Sequence, residues 1–424
     1  MNTVALGAGS LVITVLTIII GIKRGKNLGI LAYAASFVLG LFVLIEKDGV
    51  AVPLFDAVSM ASLFPFKVFW MTLGVSLMVN VGSSNGTFHI IINKLVSLAR
   101  GRRSLIPIII FGVMFASSSV GAGPTGIIVL LCTIAATIAK EQDIDPIFML
   151  LSVISGATIA IGSPYAVLGI ICNNFSEEQW NFKIAPSYMY PRAALLSVLT
   201  FAVIYIVFKG WKLEKRDVQV SASDMKLNRK QLFTLIGYGI FIVLTVLAGQ
   251  EMGLVAVFIT AVLLVLDCAD EKEVISDVPW DSIILICGMC VLIGVTKLAG
   301  GVDLLTSLLR GLMNSYTVKP IYSIFGSLLG MVASVSGVTL PAMLPTIPEI
   351  AQQTGANPFA LVTVLAFGGV AACASPLSPM GAVALSIIGA DPKYDTSELF
   401  KKMLLATFIL TGIAAVWAAI GLAG

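Results

Sequence analysis

The segment PIFMLLSVISGATIAIGSPYAVLGII, residues 146–171, recurs 212 positions later as PFALVTVLAFGGVAACASPLSPMGAV, residues 358–383. Both copies are apolar segments that polar and helix-breaking residues interrupt at the same places. The coinciding pairs are Gly156 and Gly368, Ser163 and Ser375, Pro164 and Pro376, and Gly169 and Gly381. Matched, broken apolar segments in two halves of a chain predict a solute-binding site in the middle of a membrane.

The composition places the chain in a membrane. Of its 424 residues, 58% are hydrophobic and 12% are charged, with a mean hydropathy of +1.00. A water-soluble core could not bury so much apolar surface. The net charge of +3 is small and the basic residues are scattered, so nucleic acid is not an expected partner. The six cysteines lie mostly in apolar stretches and predict no disulfide framework.

The similarity between the two halves extends beyond the opening pair. Residues 66–90 match residues 280–304, and residues 117–131 match residues 334–348, with glycines and prolines again coinciding. Such internal similarity marks the boundary between structural repeats. We therefore predict a first repeat at 1–209, a cytoplasmic linker at 210–230 and a second repeat at 231–424.

Ten apolar runs approach the length of a membrane span, five in each half. Because five is an odd number, the second half enters the membrane in the opposite sense, which predicts inverted-topology repeats. The expected fold class is an all-α polytopic membrane protein with about ten transmembrane helices, two re-entrant hairpins and a broken fifth helix in each repeat. The runs are 4–22, 28–45, 66–82, 146–172, 193–208, 232–249, 254–266, 283–297, 358–388 and 404–422.

The stretches 105–139 and 320–354 each contain two short apolar arms around a Ser/Gly/Pro centre. Arms of about 12 residues do not cross a bilayer, so we expect re-entrant hairpins whose tips line a cavity. Most of the 26 Lys and Arg residues fall in inner loops if the N-terminus is outside. This asymmetry predicts a multi-pass protein of the plasma membrane with both termini outside. The first hairpin would then open from the cytoplasm and the second from outside.

The hairpin tips and the helix breaks together form the candidate binding site. A helix that begins inside a membrane exposes unpaired N–H groups that suit anions, and one that ends there exposes carbonyls that suit cations. For each small residue alone, close helix packing is the competing explanation, but recurrence in both halves favours a site. The candidate substrate-binding residues are Ser117, Ser118, Ser119, Gly121, Gly123, Pro124, Thr125, Ser163, Pro164, Ser334, Ser336, Gly337, Thr339, Pro341, Ser375, Pro376 and Ser378.

Several kinds of chemistry find no support in the sequence. A Walker A motif is missing, so ATP hydrolysis is not expected. The spans hold almost no carboxylates, which argues against a relay of buried acids; Asp56, Asp281 and Glu349 lie at span or hairpin edges. The single histidine, His89, falls on a short amphipathic segment, and the CxxC pair at 287–290 has no further ligands. No catalytic residue and no metal site are predicted.

The order of elements resembles the ion transporter superfamily, especially its divalent anion/sodium symporters and, among related carriers, the malonate/dicarboxylate carrier family. The shared order is three spans, an amphipathic segment, a hairpin, a broken helix and a last span, repeated inverted. Those symporters carry Ser-Asn-Thr at each hairpin tip. The matching triplets here are Ser-Val-Gly at 119–121 and Ser-Gly-Val at 336–338, which keep only the serine. Substrate contact is then expected to fall on backbone N–H groups and on Ser118, Thr125 and Thr339.

The resemblance implies a secondary active transporter of a dicarboxylate such as malonate or succinate, coupled to Na⁺ or H⁺. It also implies a homodimer with an elevator mechanism and no cofactor other than Na⁺ as a coupling ion. A cation/proton exchanger or an anion efflux carrier of the same superfamily is the alternative, and an intramembrane enzyme or a channel is less favoured. Candidate backbone ligands for a cation are Ser119, Gly156, Ala157, Ser336, Gly368 and Gly369.

Overall fold

A computed structural model provides the structure of the protein. Within the residues it describes, the chain is helical apart from short connections and one small ribbon, which confirms the predicted helical class. The described residues are 3–24, 26–47, 50–54, 60–88, 90, 102–121, 126–180, 186–214, 227–248, 250–311, 313–389 and 393–422.

The described part of residues 1–214 contains eight α-helices, with three short 3₁₀ segments at Arg103–Leu105, Thr158–Ile161 and Gly210–Lys212. The first predicted hairpin corresponds to the fourth and fifth helices. In chain order the helices are α1 (Thr3–Arg24), α2 (Leu28–Gly40), α3 (Phe66–Ser84), α4 (Ile106–Ser119), α5 (Gly126–Gln142), α6 (Pro146–Ala157), α7 (Val167–Trp180) and α8 (Pro186–Val207).

The described part of residues 227–422 contains eleven α-helices. Two π-helical segments, Val243–Leu247 and Val335–Thr339, and two 3₁₀ segments, Leu344–Thr346 and Ala372–Ala374, join them. The helices are α9 (Arg229–Ile242), α10 (Met252–Val265), α11 (Glu271–Ser276), α12 (Trp280–Leu298), α13 (Gly301–Arg310), α14 (Val318–Val332), α15 (Leu340–Met343), α16 (Ile347–Thr354), α17 (Pro358–Ala371), α18 (Pro379–Gly389) and α19 (Thr396–Ala419).

A two-stranded antiparallel ribbon departs from the all-α prediction. Strand β1 (Leu44–Lys47) pairs with β2 (Val50–Pro53), and Leu44 lies opposite Pro53. The β-branched residues of these short runs favour an extended backbone. Helix α2 therefore ends at Gly40, and the predicted span at 28–45 is shorter than expected.

Few of the described helices are by themselves long and apolar enough to cross a membrane. Three satisfy both conditions: α3, residues Ser187–Val207 of α8, and α19. A fourth span is formed if α12 and α13, which meet at an angle of 83°, are taken together. Other apolar helices, such as α2, α6 and α17, have 10–17 residues. The expected number of ten spans therefore stays a prediction.

The sequence repeat is accompanied by a repeat of local structure. Helices α6 and α17 both begin with proline after a capping residue, Asp145 or Asn357, whose side chain accepts a backbone N–H. Helices α3 and α12 both follow a proline of similar conformation, Pro65 (φ −80°, ψ 70°) and Pro279 (φ −75°, ψ 64°). Equivalent residues thus begin equivalent helices in the two halves.

Glycines bring helices of the two halves into close contact. Helix α2 packs on α12, and α10 packs on α3. A Cβ atom on Gly29 of α2 would collide with α12, and one on Gly288 of α12 would collide with the carbonyl of Gly29. Gly74 of α3 and Gly253 of α10 meet in the same way. Small residues at such crossings let helix backbones approach closely, as is common in membranes.

The two broken helices lie at the centre of the described structure. Every residue of α6 is buried, and α17 is buried from Ala360 to Ala371. A helix that is apolar all round must be surrounded by other elements. The breaks that follow α6 and α17 are therefore inside the protein.

Candidate functional site

The first helix break separates α6 from α7. Helix α6 ends at Ala157, tightens into the 3₁₀ turn Thr158–Ile161, and helix geometry resumes at Val167. Pro164 lies in the turn, three residues before the helix resumes. The side chain of Ser163 accepts the backbone N–H of Tyr165 at 3.2 Å. It thus provides this N–H with the acceptor that an uninterrupted helix would have supplied.

The second break, between α17 and α18, has the same construction. The side chain of Ser375 accepts the N–H of Leu377 at 3.2 Å, two residues on, as Ser163 does for Tyr165. Pro376 again precedes the restart, which occurs at Pro379. Ser378 adds a cap, because its hydroxyl oxygen accepts the N–H of Gly381 at 3.0 Å. Both breaks are built by a buried serine in a turn.

A glycine that follows each break lets the chain fold closely back on it. A Cβ atom on Gly169 would collide with the carbonyl oxygen of Ser163, and one on Gly381 would collide with that of Ser375. Neither neighbour is a flexible side chain that could move aside. The coincidence of Ser-Pro and glycine in the two sequence copies therefore has a steric reason.

The tip of the first hairpin is bonded to the first break. The hydroxyl of Ser163 donates to the carbonyl of Ser119 at 2.7 Å. The side chain of Ser119 donates to the carbonyl of Phe115 at 2.7 Å and accepts the hydroxyl of Tyr190 at 3.1 Å. Gly121, at φ +81°, packs so closely on the Tyr165 carbonyl that a Cβ atom would collide with it. Hairpin tip and helix break form one connected unit.

Part of the first tip lies outside the described residues. This applies to the candidate residues Gly123, Pro124 and Thr125, and also to Asp56 and His89 elsewhere in the chain. Of the other two serines near this tip, Ser118 is buried and Ser117 is half-buried.

The tip of the second hairpin is a π-helical turn that follows α14. Ser334 caps it, accepting the N–H of Gly337 at 3.2 Å, and lies 3.2 Å from the hydroxyl of Ser336. Thr339 is fully buried, and its hydroxyl has no hydrogen-bond partner among the described residues. Pro341 lies in the first turn of α15, directly after the π-helical turn.

Thr339 differs from most helical threonines of this protein. Thr363 in α17, for example, donates to the carbonyl four residues earlier at 2.8 Å, which is the usual arrangement for a buried threonine. A buried hydroxyl without a partner is costly. Of the buried polar side chains without a partner among the described residues, Thr339 is the one at a hairpin tip. The Thr339 hydroxyl is therefore a polar group that the described part of the protein does not itself satisfy.

The two breaks and the two hairpins meet in one region. The turn Thr158–Ile161 contacts both α4 of the first hairpin and α17, while Ala372–Ala374 contacts both α14 of the second hairpin and α6. The second tip, Val335–Thr339, contacts α7. Helix α5 of the first hairpin contacts α18. Each hairpin therefore contacts the half-helix that follows the break of the other half.

The glycines proposed as cation ligands have packing partners. A Cβ atom on Gly156 would lie 2.7 Å from the carbonyl oxygen of Phe111, and one on Gly368 would collide with the carbonyl of Ser323. The Gly368 carbonyl already accepts the hydroxyl of Ser327 at 2.9 Å, and Gly369 lies against Val335. These contacts give the glycines a structural role, and cation binding by them and by Ala157 stays a prediction.

Charged and thiol side chains outside the breaks form no further centre in the described residues. No group of three His, Cys, Asp or Glu side chains there could hold a metal ion. Asp281 is exposed and accepts the side-chain amide of Asn27 at 3.3 Å, and Glu349 accepts that of Gln353 at 3.0 Å. Cys287 and Cys290 form no disulfide.

Sequence reasoning did not identify two contributors to this region. Tyr190 reaches the first tip from α8, 71 residues along the chain from Ser119. Tyr165 gives the break its contact with Gly121. Tyr165 stands directly after Ser163-Pro164, and this position is the one signal that could have drawn attention to it.

Comparison with known proteins places this geometry among transporters. Residues 4–368 match the family model described as citrate transporter, CitMHS. The fold is similar to the crystal structure of the YdaH transporter of Alcanivorax borkumensis, with a TM-score of 0.62 at 13% sequence identity, over 96% of this chain and 98% of that one. That structure is described as having an unusual topology. A search of curated proteins finds no match.

Proposed function

The chain belongs to the citrate transporter family, CitMHS, and on that premise we propose that it carries a di- or tricarboxylate through the region where its two helix breaks and two hairpins meet. The family and the fold support an integral membrane transporter of organic anions. The observation that carries the proposal is the buried hydroxyl of Thr339, which has no partner among the described residues and stands at the second hairpin tip.

The chemistry of the region fits a carboxylate. Its candidate residues are serines, threonines, glycines and prolines, which offer hydroxyl and N–H donors without a full charge. The half-helices α7 and α18 begin at the breaks, and helix N-termini carry a partial positive charge that stabilises anions. Citrate, the substrate that the family description names, malonate and succinate all present the carboxylates that such donors bind.

The proposed mechanism is secondary active transport, driven by a gradient of Na⁺ or H⁺. In it, the two halves are inverted repeats, the first three long helices of each half form a scaffold, and the hairpins, broken helices and last helices move with the substrate as an elevator. The protein would act as a homodimer in the plasma membrane, with both termini outside. The contacts between each hairpin and the opposite half-helix support movement of these elements as one unit.

Transport by the purified protein in proteoliposomes tests the proposal. Uptake of labelled citrate, malonate and succinate is measured under imposed Na⁺ and pH gradients, with empty liposomes as the control. We expect saturable accumulation of at least one of these anions that collapses when the driving gradient is dissipated. Absence of accumulation under every gradient would reject coupled carboxylate import.

A double variant links the transport to the proposed site. Ser119→Ala combined with Ser336→Ala removes a hydroxyl from each tip while leaving both helix breaks intact. We expect lower uptake at unchanged membrane abundance. Full uptake by the double variant would place the substrate away from these tips.

A further inference from the structure

A cavity of about 430 Å³ lies beside the second hairpin, outside the region of the breaks. Its wall consists of the chain leading into α3, the C-terminal half of α12, one face of α7, and Pro345 in the turn after α15. This volume falls within the range of small-molecule sites. The cavity is therefore large enough to hold a small organic anion.

The cavity is close to the second hairpin tip. Pro345 stands six residues beyond Thr339 on the same arm of the hairpin. Helix α12 also joins the two places, because Leu285 packs against Gly337 of the tip while Cys290, Ile293, Gly294 and Lys297 line the cavity. Leu285 and Lys297 are about 18 Å apart along the helix. A molecule in the cavity is thus within about one helix length of the tip.

The charged side chains that line the cavity are both lysines, Lys67 and Lys297. Lys67 lies in the first turn of α3, a helix whose capping residue, Pro65, makes no side-chain hydrogen bond. The partial positive charge of that helix end adds to the two ammonium groups. Most of the remaining wall is apolar, and a cationic group set in an apolar wall attracts anions.

The equivalent positions in the other half do not repeat this charge. At the offset of 214 residues that relates α3 to α12, Lys67 corresponds to Asp281 and Lys297 corresponds to Ser83. The basic cavity is therefore a feature of one side of the pseudo-symmetric structure. The sequence repeat of α3 and α12 therefore does not explain the two lysines of the cavity.

Glu177 of α7 forms an ion pair with Lys67, with 2.8 Å between the carboxylate oxygen and the ammonium nitrogen. The two side chains are 42% and 41% exposed, so solvent and solutes reach both. Such an exposed pair contributes little to stability. A soluble carboxylate has the same chemistry as the Glu177 side chain and can take its place on Lys67.

We propose that this cavity is a vestibule that binds a small carboxylate before it reaches the second hairpin, with Lys67 and Lys297 as its cationic contacts and Glu177 as an internal competitor for Lys67. The proposal rests on the carboxylate transport proposed above. The region of the breaks offers no charged side chain among its candidate residues. The vestibule supplies the charge that concentrates the anion near it.

Cys290 provides a test that does not require transport. It lines the cavity, and with Cys373 it is one of the two partly exposed thiols among the described residues. In a Cys373→Ala background, the rate at which a small methanethiosulfonate reagent modifies Cys290 is followed by mass spectrometry during titration with citrate or succinate. Sodium chloride at matched ionic strength is the control. We expect the carboxylate, and not chloride, to slow the reaction.

Three variants assign the effect to the named side chains. Lys67→Gln and Lys297→Gln should each raise the half-protecting concentration about tenfold, the loss of one charge-assisted contact. Glu177→Gln should lower it, because the competitor is gone. If the ion pair had a purely structural role, Lys67→Gln and Glu177→Gln would change the half-protecting concentration in the same direction. Lys319→Gln, in the first turn of α14 and away from the cavity, is the matched control and should change nothing.

The outcomes separate this proposal from the proposed function. Lysine-dependent protection in a protein that accumulates no carboxylate would support the vestibule and reject the transport function. Carboxylate uptake with an unchanged KM in both lysine variants, and without protection of Cys290, would reject the vestibule alone. If the reagent does not modify Cys290 in any variant, the melting temperature of each variant is measured in the same titrations instead. The absence of a lysine-dependent shift in melting temperature overturns the proposal.

Discussion

Each helix break and the hairpin tip of the same half together form a half-site. The two half-sites share the Ser-Pro turn but differ in how their hydroxyls are bonded. At the first, Ser163 bonds the tip of its hairpin through the carbonyl of Ser119. At the second, the hydroxyl oxygen of Ser375 accepts only the N–H of Leu377 in the described structure, and the Thr339 hydroxyl of the nearby tip is unpaired there. The helix break is thus a repeated structural device, while the second half-site keeps a buried hydroxyl without a partner in the described structure.

The largest effects should follow from changes that break what the halves share. Gly169→Ala and Gly381→Ala each place a methyl group against a backbone carbonyl that cannot move without distorting the break. We expect each to lower the free energy of unfolding by about 2 kcal/mol or more. The measurement is the melting temperature and yield of the solubilised protein.

Gly112→Ala in α4 is the control for these two variants, since a Cβ built there has no atom within 4 Å apart from those of its chain neighbours and its own helix backbone. It should leave stability unchanged or raise it slightly, because alanine favours the helix. If only one of the two glycine variants were destabilised, the two helix breaks would not be structurally equivalent.

The next largest effect should distinguish the second half-site as the place of ligand contact. Thr339→Val keeps the shape of the side chain and removes the unpaired hydroxyl. We expect equal or higher thermal stability, because a buried hydroxyl without a partner is costly. We also expect a rise of about tenfold in the KM for the transported carboxylate, which corresponds to the loss of one hydrogen bond of about 1.4 kcal/mol.

Thr363→Val is the matched change at a buried threonine whose hydroxyl is bonded to the Phe359 carbonyl. It should reduce stability slightly and leave the KM unchanged. An unchanged KM in Thr339→Val, together with higher stability, would mean that this hydroxyl is merely an unfavourable feature of the fold.

The difference in bonding at the two breaks predicts a difference in stability. Ser163→Ala removes the acceptor for the Tyr165 N–H and also leaves the carbonyl of Ser119 without its donor. Ser375→Ala removes the acceptor alone. We expect Ser163→Ala to cost about 1 kcal/mol more than Ser375→Ala, which thermal denaturation of the two variants measures. Equal costs would show that the bond between break and tip contributes nothing.

Much of the fold followed from the sequence because it depends on local chemistry. Interrupted apolar segments with Ser-Pro and glycine predicted both helix breaks, and the same residues form the turns at Ser163 and Ser375. The hairpins at 105–139 and 320–354 were visible as short apolar arms, which correspond to α4 with α5 and to α14 with the helical segments that follow it. A repeat made the inference stronger than either segment alone.

What the sequence did not reveal depends on contacts between distant residues. The bond of Tyr190 to Ser119 spans 71 positions and has no local pattern. A glycine at positions 156 and 368 is compatible with cation binding and with close packing of a neighbouring helix, and only the structure shows that Phe111 and Ser323 lie against them. Lys67 and Lys297 stand at span edges, where lysine is ordinary, and only the fold brings them to one cavity.

The smallest expected effect tests how far the first half-site is self-sufficient. Tyr190→Phe removes the hydroxyl that donates to the side chain of Ser119 at 3.1 Å and keeps the ring. We expect a loss of about 0.5–1 kcal/mol in stability and little change in KM. Tyr188→Phe, two residues earlier on α8, is the control, since the hydroxyl of Tyr188 makes no hydrogen bond within the described structure.

The effect of Tyr190→Phe on transport tests whether the first half-site contacts the substrate. Without the Tyr190 hydroxyl, Ser119 still donates its proton to the Phe115 carbonyl. The Ser119 hydroxyl oxygen then has a free acceptor position, which a carboxylate cannot use. Transport should therefore be unaffected if the second half-site holds the anion. A tenfold or larger rise in KM would instead show that the Tyr190 hydroxyl itself contacts the substrate, and the first half-site would then bind ligand as the second does.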